Sequence, residues 1–315
     1  MELKMVGAFV CLALAFAVGC MWVLGPGQAP VSPLPAVAGA GEGTYSLAAE
    51  FPEVQGSYTL YRVVPVTVTK EQVREIAERF GLSGEPKAVS EVTGEFLLVD
   101  TSKEPEEHMS VYAHSGAVAY HILDKEFPTE VTEQPDLPSD AEAEKVALAF
   151  LEKTGMWSPD AQVVKTEVNQ KQEIWEAGAT EPKVSYDVTK AVRFGRSLDG
   201  LPVYGDDEFA AILGDGGEVV GLVKTWREVE LDGNVSLRSP EEAYEDLRAA
   251  RTVRPHTGQE YDQITIENIT IGYWMEPRGF VQDQVRPVYA FSGTALRDGV
   301  EEPYVEYVFA DEGKR

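Results

Sequence analysis

Three times along the 315-residue chain, a hydroxyl side chain is followed three positions later by Gln or Glu, just ahead of an apolar stripe. The sites are Thr69-Lys70-Glu71-Gln72, Ser139-Asp140-Ala141-Glu142 and Ser239-Pro240-Glu241-Glu242. In such a capping box the hydroxyl accepts from an exposed helix amide, and the later side chain reaches back to the cap amide, so each site fixes a helix start. Pro240 takes the first helical position, where a missing N–H leaves nothing unsatisfied. Behind the caps stand Val73, Ile76, Ala77 and Phe80, then Ala143, Val146, Ala147, Phe150 and Leu151, then Ala243, Leu247 and Ala250. That is the spacing of helices packed on one side. Gly81 and Gly155 close the first two.

Runs rich in Val, Ile, Tyr and Thr follow each helix, as strands require. They are 94–100, 109–115 and 117–123; then 161–168, 184–194, 207–213 and 218–226; then 264–274, 286–292 and 303–310. Ser115-Gly116 and Gly216-Gly217 stand where hairpin turns are expected. The alternation of Ile264 and Ile266 against Ile269, Ile271 and Tyr273 slips by one at Glu267-Asn268, which predicts a bulge. Residues 173–183 and 277–286 read as surface loops. The fold class is α+β, with repeated units of one capped helix packed on an antiparallel sheet. The units fall at 44–135, 136–232 and 233–315.

The first 24 residues are different. Lys4 precedes Met5–Leu24, twenty residues without a charge, about the length that crosses a bilayer as a helix. Lys4 predicts a cytoplasmic N-terminus, and Trp22 falls near the outer interface. Ala17-Val18-Gly19-Cys20 offers a second reading, a bacterial lipobox with Cys20 lipidated, although Leu is usual where Ala17 stands. Both place the body on the extracytoplasmic side, held to the cell membrane; a cleaved signal peptide is a third reading. Residues 25–43, GPGQAPVSPLPAVAGAGEG, carry one charge, Glu42, and form a tether rather than a core. The net charge of −26 comes from 53 acids against 27 bases, which repels nucleic acid and anionic lipid.

The residues offer little chemistry. Cys11 and Cys20 are the two cysteines, both in the leader, so the body has no thiol nucleophile, disulfide or cysteine metal site. His108, His114, His121 and His256 contain no metal-binding helical pair. No nucleophile-elbow serine or phosphate loop occurs. Carboxylates are abundant, so glycoside hydrolysis by two acids in an aromatic cleft stays open, with Trp157, Trp175, Trp226 and Trp274 as walls. The same tryptophans fill cores in most folds. Asp206, Asp207 and Glu208 are a calcium candidate without the alternating acids of an EF-hand loop. Otherwise they form a solvated strand entry. Asp215 suits a tight turn, where its side chain bonds the local backbone. No catalytic residue and no cofactor are assigned.

The stretch RFGRSLDGLPVYGDDEFAAILGDGGEVVGLVKTW, residues 193–226, resembles PepSY-like domains. SPEEAYEDLRAA, ITIENITIGYW, VRPVYAFSG and PYVEYVFA resemble the ending of YycI-type proteins, and 50–125 is a looser echo. YycI and the related YycH proteins are membrane-anchored extracytoplasmic regulators of a two-component sensor kinase. The resemblance implies a non-enzymatic binding protein whose partner is a sensor kinase, another envelope protein such as a protease, or a second copy. A secreted carboxylate hydrolase acting on cell-wall or glycan substrates and a passive structural lipoprotein are the alternatives.

Overall fold

A computed structural model describes residues 10–11, 44–254 and 261–312. The expectations for the anchor, the tether and Cys20 fall outside the described residues, apart from the pair Val10–Cys11. In chain order the strands are β1 (Val10–Cys11), β2 (Thr44–Leu47) and β3 (Tyr58–Val63), followed by helix α1 (Lys70–Arg79). Then come β4 (Lys87–Ser90), β5 (Glu95–Asp100), β6 (Glu107–Tyr112), β7 (Val118–His121), a short α2 (Leu123–Glu126) and α3 (Asp140–Thr154). Next are β8 (Gln162–Ile174), β9 (Val184–Gly195), β10 (Ser197–Leu198), β11 (Leu201–Gly205), β12 (Phe209–Leu213), β13 (Val219–Lys224) and β14 (Val229–Val235). The chain closes with α4 (Pro240–Arg248), β15 (Gln263–Met275), β16 (Gln284–Val285), β17 (Pro287–Arg297) and β18 (Val300–Phe309). The fold is mixed α+β, with far more strand than helix.

All three capping boxes form. Thr69, Ser139 and Ser239 accept from the amides of Gln72, Glu142 and Glu242, whose side chains return the bond to the cap amides. Gly155 ends α3 in the left-handed conformation, at φ 68°, which lacks a Cβ penalty only in glycine.

The largest sheet has nine strands in the order β1-β8-β9-β12-β13-β7-β6-β5-β4. One row of side chains runs across it from strand to strand: Val192, Ala211, Leu222, Tyr120, Met109 and Leu98. All six are buried, beneath Val73 and Ala77 of α1 and Ala143, Ala147 and Leu151 of α3. Phe80 and Phe150 meet edge-on between the two helices, with centroids 5.5 Å apart. The strands after α1 and those after α3 therefore share one core, joined where β7 pairs antiparallel with β13. The sequence boundary at 135/136 falls in a connection between strands of a single sheet.

The second sheet runs β10-β11-β15-β17-β18, with β2 also on β15. The bulge expected at Glu267-Asn268 is present, as the β15–β17 register shifts between Ile266 and Asn268. Helix α4 buries Ala243 and Leu247 against Ile264, Ile266, Tyr289 and Phe291. The third sheet is β14-β3-β16. Residues 44–63, placed from sequence with the first helix, thus pair through β2 and β3 with strands of the C-terminal third and with β14. Residues 201–205, which are not among the expected strands, form β11 and run parallel to β15. The loop expected at 277–286 contains β16.

Truncating Leu222 to Ala, in the middle of the shared row, is expected to cost about 2–5 kcal/mol. Because α1 and α3 rest on the same core, the helical circular dichroism and the fluorescence of Trp157 should be lost together in urea. Two separate transitions would show that the halves of the sheet fold independently.

Candidate functional site: an arginine–carboxylate junction

The acidic triplet singled out from sequence lies where the chain passes from the second sheet to the first. β11 ends at Gly205, and β12 begins at Phe209. A Cβ on Gly205 would stand 2.2 Å from the Met275 carbonyl oxygen, and its φ is +88°. Only glycine tolerates both the approach and the dihedral. The next amide, Asp206, donates to that same carbonyl at 3.0 Å.

Each carboxylate of the triplet is turned toward arginine. Asp206 accepts from the Arg278 backbone amide at 2.8 Å and from its guanidinium at 3.4 and 3.5 Å. Glu208 accepts from Arg278 at 3.1 Å and lies 3.7 Å from Arg193. Asp207 takes a two-pronged contact from Arg196, at 3.0 and 2.7 Å. The side chains of Arg196 and Asp207 are only 2% and 6% exposed, so this pair is withdrawn from water. Burial pushes the Asp207 carboxyl above its ordinary range, against the pull of Arg196.

The arginines then reach further. Arg196 donates to the Arg227 carbonyl at 2.8 Å and lies 4.4 Å over the Trp226 ring, and the Trp226 indole donates to Asp160. Arg227, 3% exposed, donates to the carbonyls of Glu276, Pro277 and Phe280 at 2.6, 2.9 and 3.0 Å. The Ser115 hydroxyl donates to the Arg278 carbonyl at 2.6 Å. Residues 276–280, on the connection that leaves β15, are therefore held by Arg227, by Ser115 and by the Asp206 and Glu208 carboxylates. At Arg278 burial opposes the charge, but Asp206 and Glu208 outweigh it and raise the pKa.

Calcium needs six to eight oxygens, and here Asp206 and Glu208 are turned to Arg278 while Asp207 is turned to Arg196. Among the described residues, no group of three or more His, Cys, Asp or Glu side chains is arranged to hold a metal. His108 and His121 face each other across β6 and β7, and His121 Nδ1 lies 2.7 Å from buried Glu126. His114 sits apart in the turn before β7, against Gly94. Of the tryptophans, Trp157 and Trp226 pack on the main core. Trp175 donates to Glu173, and Trp274 lies in the second sheet. Asp215 takes part in its own turn through its backbone, its carbonyl accepting from the Glu218 amide at 3.4 Å, and its side chain reaches elsewhere. It accepts from the distant Asp136 amide at 2.6 Å, tying down the connection into α3.

The arginine partners were only partly legible. Arg193 and Arg196 lie just before and after the end of β9, and a β9–β12 hairpin would bring them near Asp207 and Glu208. Nothing local announces Arg278, 72 positions from Asp206. No family model matches the chain, and no curated protein matches it. Among the described residues, no helix is long and apolar enough to cross a membrane.

Replacing Arg196 by Met is expected to cost about 3–5 kcal/mol, because it leaves the Asp207 carboxylate buried and alone. Adding Asp207→Leu should recover most of the loss. A double variant no more stable than Arg196→Met in urea would contradict that account.

Lys224 gives a pH test. Burial lowers its pKa to about 8, and its ammonium donates to the Met156 carbonyl at 2.6 Å. Between pH 8 and its usual 10.5 the unfolded chain holds more protons than the folded one, so stability rises with pH across that window. The cost of burying the charge is fully present below pH 8. Lys224→Met should therefore gain about 1–2 kcal/mol at pH 7, and the gain should fade toward pH 10.5. A gain independent of pH would assign the effect to packing.

Proposed function

We propose that the chain is a membrane-tethered, extracytoplasmic regulatory protein that acts by protein–protein contact on a sensor kinase or another envelope protein, without catalysis. The observation that carries this is the occupation of the acidic triplet: Asp206, Asp207 and Glu208 are neutralised by arginines that tie two sheets together. That assigns the triplet a part in holding a binding body in shape. Three capped helices, each leading into antiparallel strands, support the view that the body is built from PepSY- and YycI-like units. The charge-free leader, 5–24, and the tether, 25–43, support attachment to the outer face of the membrane.

Crosslinking in whole cells followed by affinity capture should recover a sensor kinase or a membrane protease, and the yield should fall with Arg278→Ala. Recovery of neither partner would overturn the proposal. So would turnover of cell-wall polymer that is lost on neutralising a pair of carboxylates. Radiolabelled fatty acid fed to cells carrying wild type or Cys20→Ser distinguishes a lipid anchor from a span.

A further inference from the structure

A strand at the edge of a sheet presents a row of unpaired N–H and C=O groups that can take another strand. Among the described residues, three strands of seven or more residues lie at or next to a sheet edge: β8, β14 and β18. Charge separates them. β14 carries Glu230 and Asp232, β18 carries Glu301, Glu302 and Glu306, and neither holds a Lys or Arg. On a chain of net charge −26, such an edge repels a copy of itself. β8 sets Lys165 and Lys171 against Glu167 and Glu173, so it is neutral. β9 fills one side of β8, and β1 covers the other only at Glu173 and Ile174. Val164 and Ile174, near its two ends, are 64% and 41% exposed.

We propose that β8 pairs antiparallel with β8 of a second copy, about a two-fold axis through Asn169. Residues equally far from Asn169 then stand opposite each other: Lys165 to Glu173, Glu167 to Lys171, and Val164 to Ile174. The interface is isologous, so each of these contacts is made twice. Opposite charges facing across an antiparallel ladder stabilise it, and like charges destabilise it. That fixes the register. A slip of two residues one way sets Lys165 against Lys171, and the other way sets Glu167 against Glu173. A slip of one sets each of the four charges against an uncharged residue. Arg193 bonds both Glu167 and Asn169, and Lys165 reaches Glu167, which places these odd positions on one face. The β8–β9 register shifts between Val168 and Lys171. That irregularity lies around the axis, so it offsets neither arm of the pairing against the other. The copy displaces the two-residue β1 and pairs along Val164–Ile174 instead. This pairing needs neither a kinase nor another envelope protein.

The test uses the purified full chain in detergent micelles, with Cys11 and Cys20 replaced by Ser. Opposed Cα atoms in an antiparallel ladder lie about 4.5–5.5 Å apart, within disulfide reach. Asn169→Cys should therefore crosslink to its own copy under copper phenanthroline. Lys165→Cys alone and Glu173→Cys alone should not, because each lies about 26 Å from its symmetry mate. The two mixed together should crosslink, which keeps the test open if Asn169→Cys folds poorly. Adding Lys171→Glu to Asn169→Cys should slow crosslinking about tenfold, and adding Glu167→Lys as well should restore it. Absence of a crosslinked dimer from both Asn169→Cys and the mixture overturns the proposal. Lys165→Cys alone crosslinking as fast as the mixture also overturns it, and assigns association to another surface. Failure to capture a kinase from cells leaves this result untouched.

Discussion

A side chain on Gly205 would collide with the Met275 carbonyl, and the route between the two sheets depends on that one approach. With Gly205 against β15, the next amide is fixed on the same carbonyl, and the following acids are delivered to arginines. Asp206 and Glu208 meet Arg278 from the second sheet's connection, while Asp207 meets Arg196 at the end of β9. The crossing and its charge partners are one device. A bulkier residue at 205 would displace β11 from β15 and carry the triplet out of register with both arginines.

Charge placement explains how so acidic a chain builds an interior. With 53 acids against 27 bases, an acid on the surface is well solvated and needs no partner. A buried one does, because desolvation costs several kcal/mol per ion unless geometry and hydrogen bonds offset it. The buried arginines Arg196 and Arg227 answer that need in different ways. Arg196 takes a carboxylate, and Arg227 takes three carbonyls. The second sheet repeats the first solution at Asp246, where burial opposes ionisation but Arg238 and Arg251 hold the carboxyl below its ordinary range.

Local features of the fold were readable. The capping boxes at Thr69, Ser139 and Ser239 are short-range devices, and each formed as its residues require. The slip at Glu267-Asn268 announced a bulge because side chains on a strand alternate, and one extra residue must break that alternation. Strand partners were not readable. Thr44–Leu47 and Leu201–Gly205 are ordinary half-polar stretches that alternate weakly. Only β15, a 13-residue strand long enough to pair with both along one edge, gives them a place.

By itself the sequence determined where helices start, which faces are apolar, where the ladder bulges, and that residues 5–43 carry a single charge, Glu42. These are decided within a turn of helix or a few residues of strand. Tertiary structure decided that the strands following α1 and α3 close into one sheet, that β2 and β3 join the C-terminal third, and that Asp206, Asp207 and Glu208 face guanidinium groups. Those outcomes turn on contacts between residues such as Asp206 and Arg278, 72 positions apart. A carboxylate's role depends on what burial brings against it, and no local pattern encodes that.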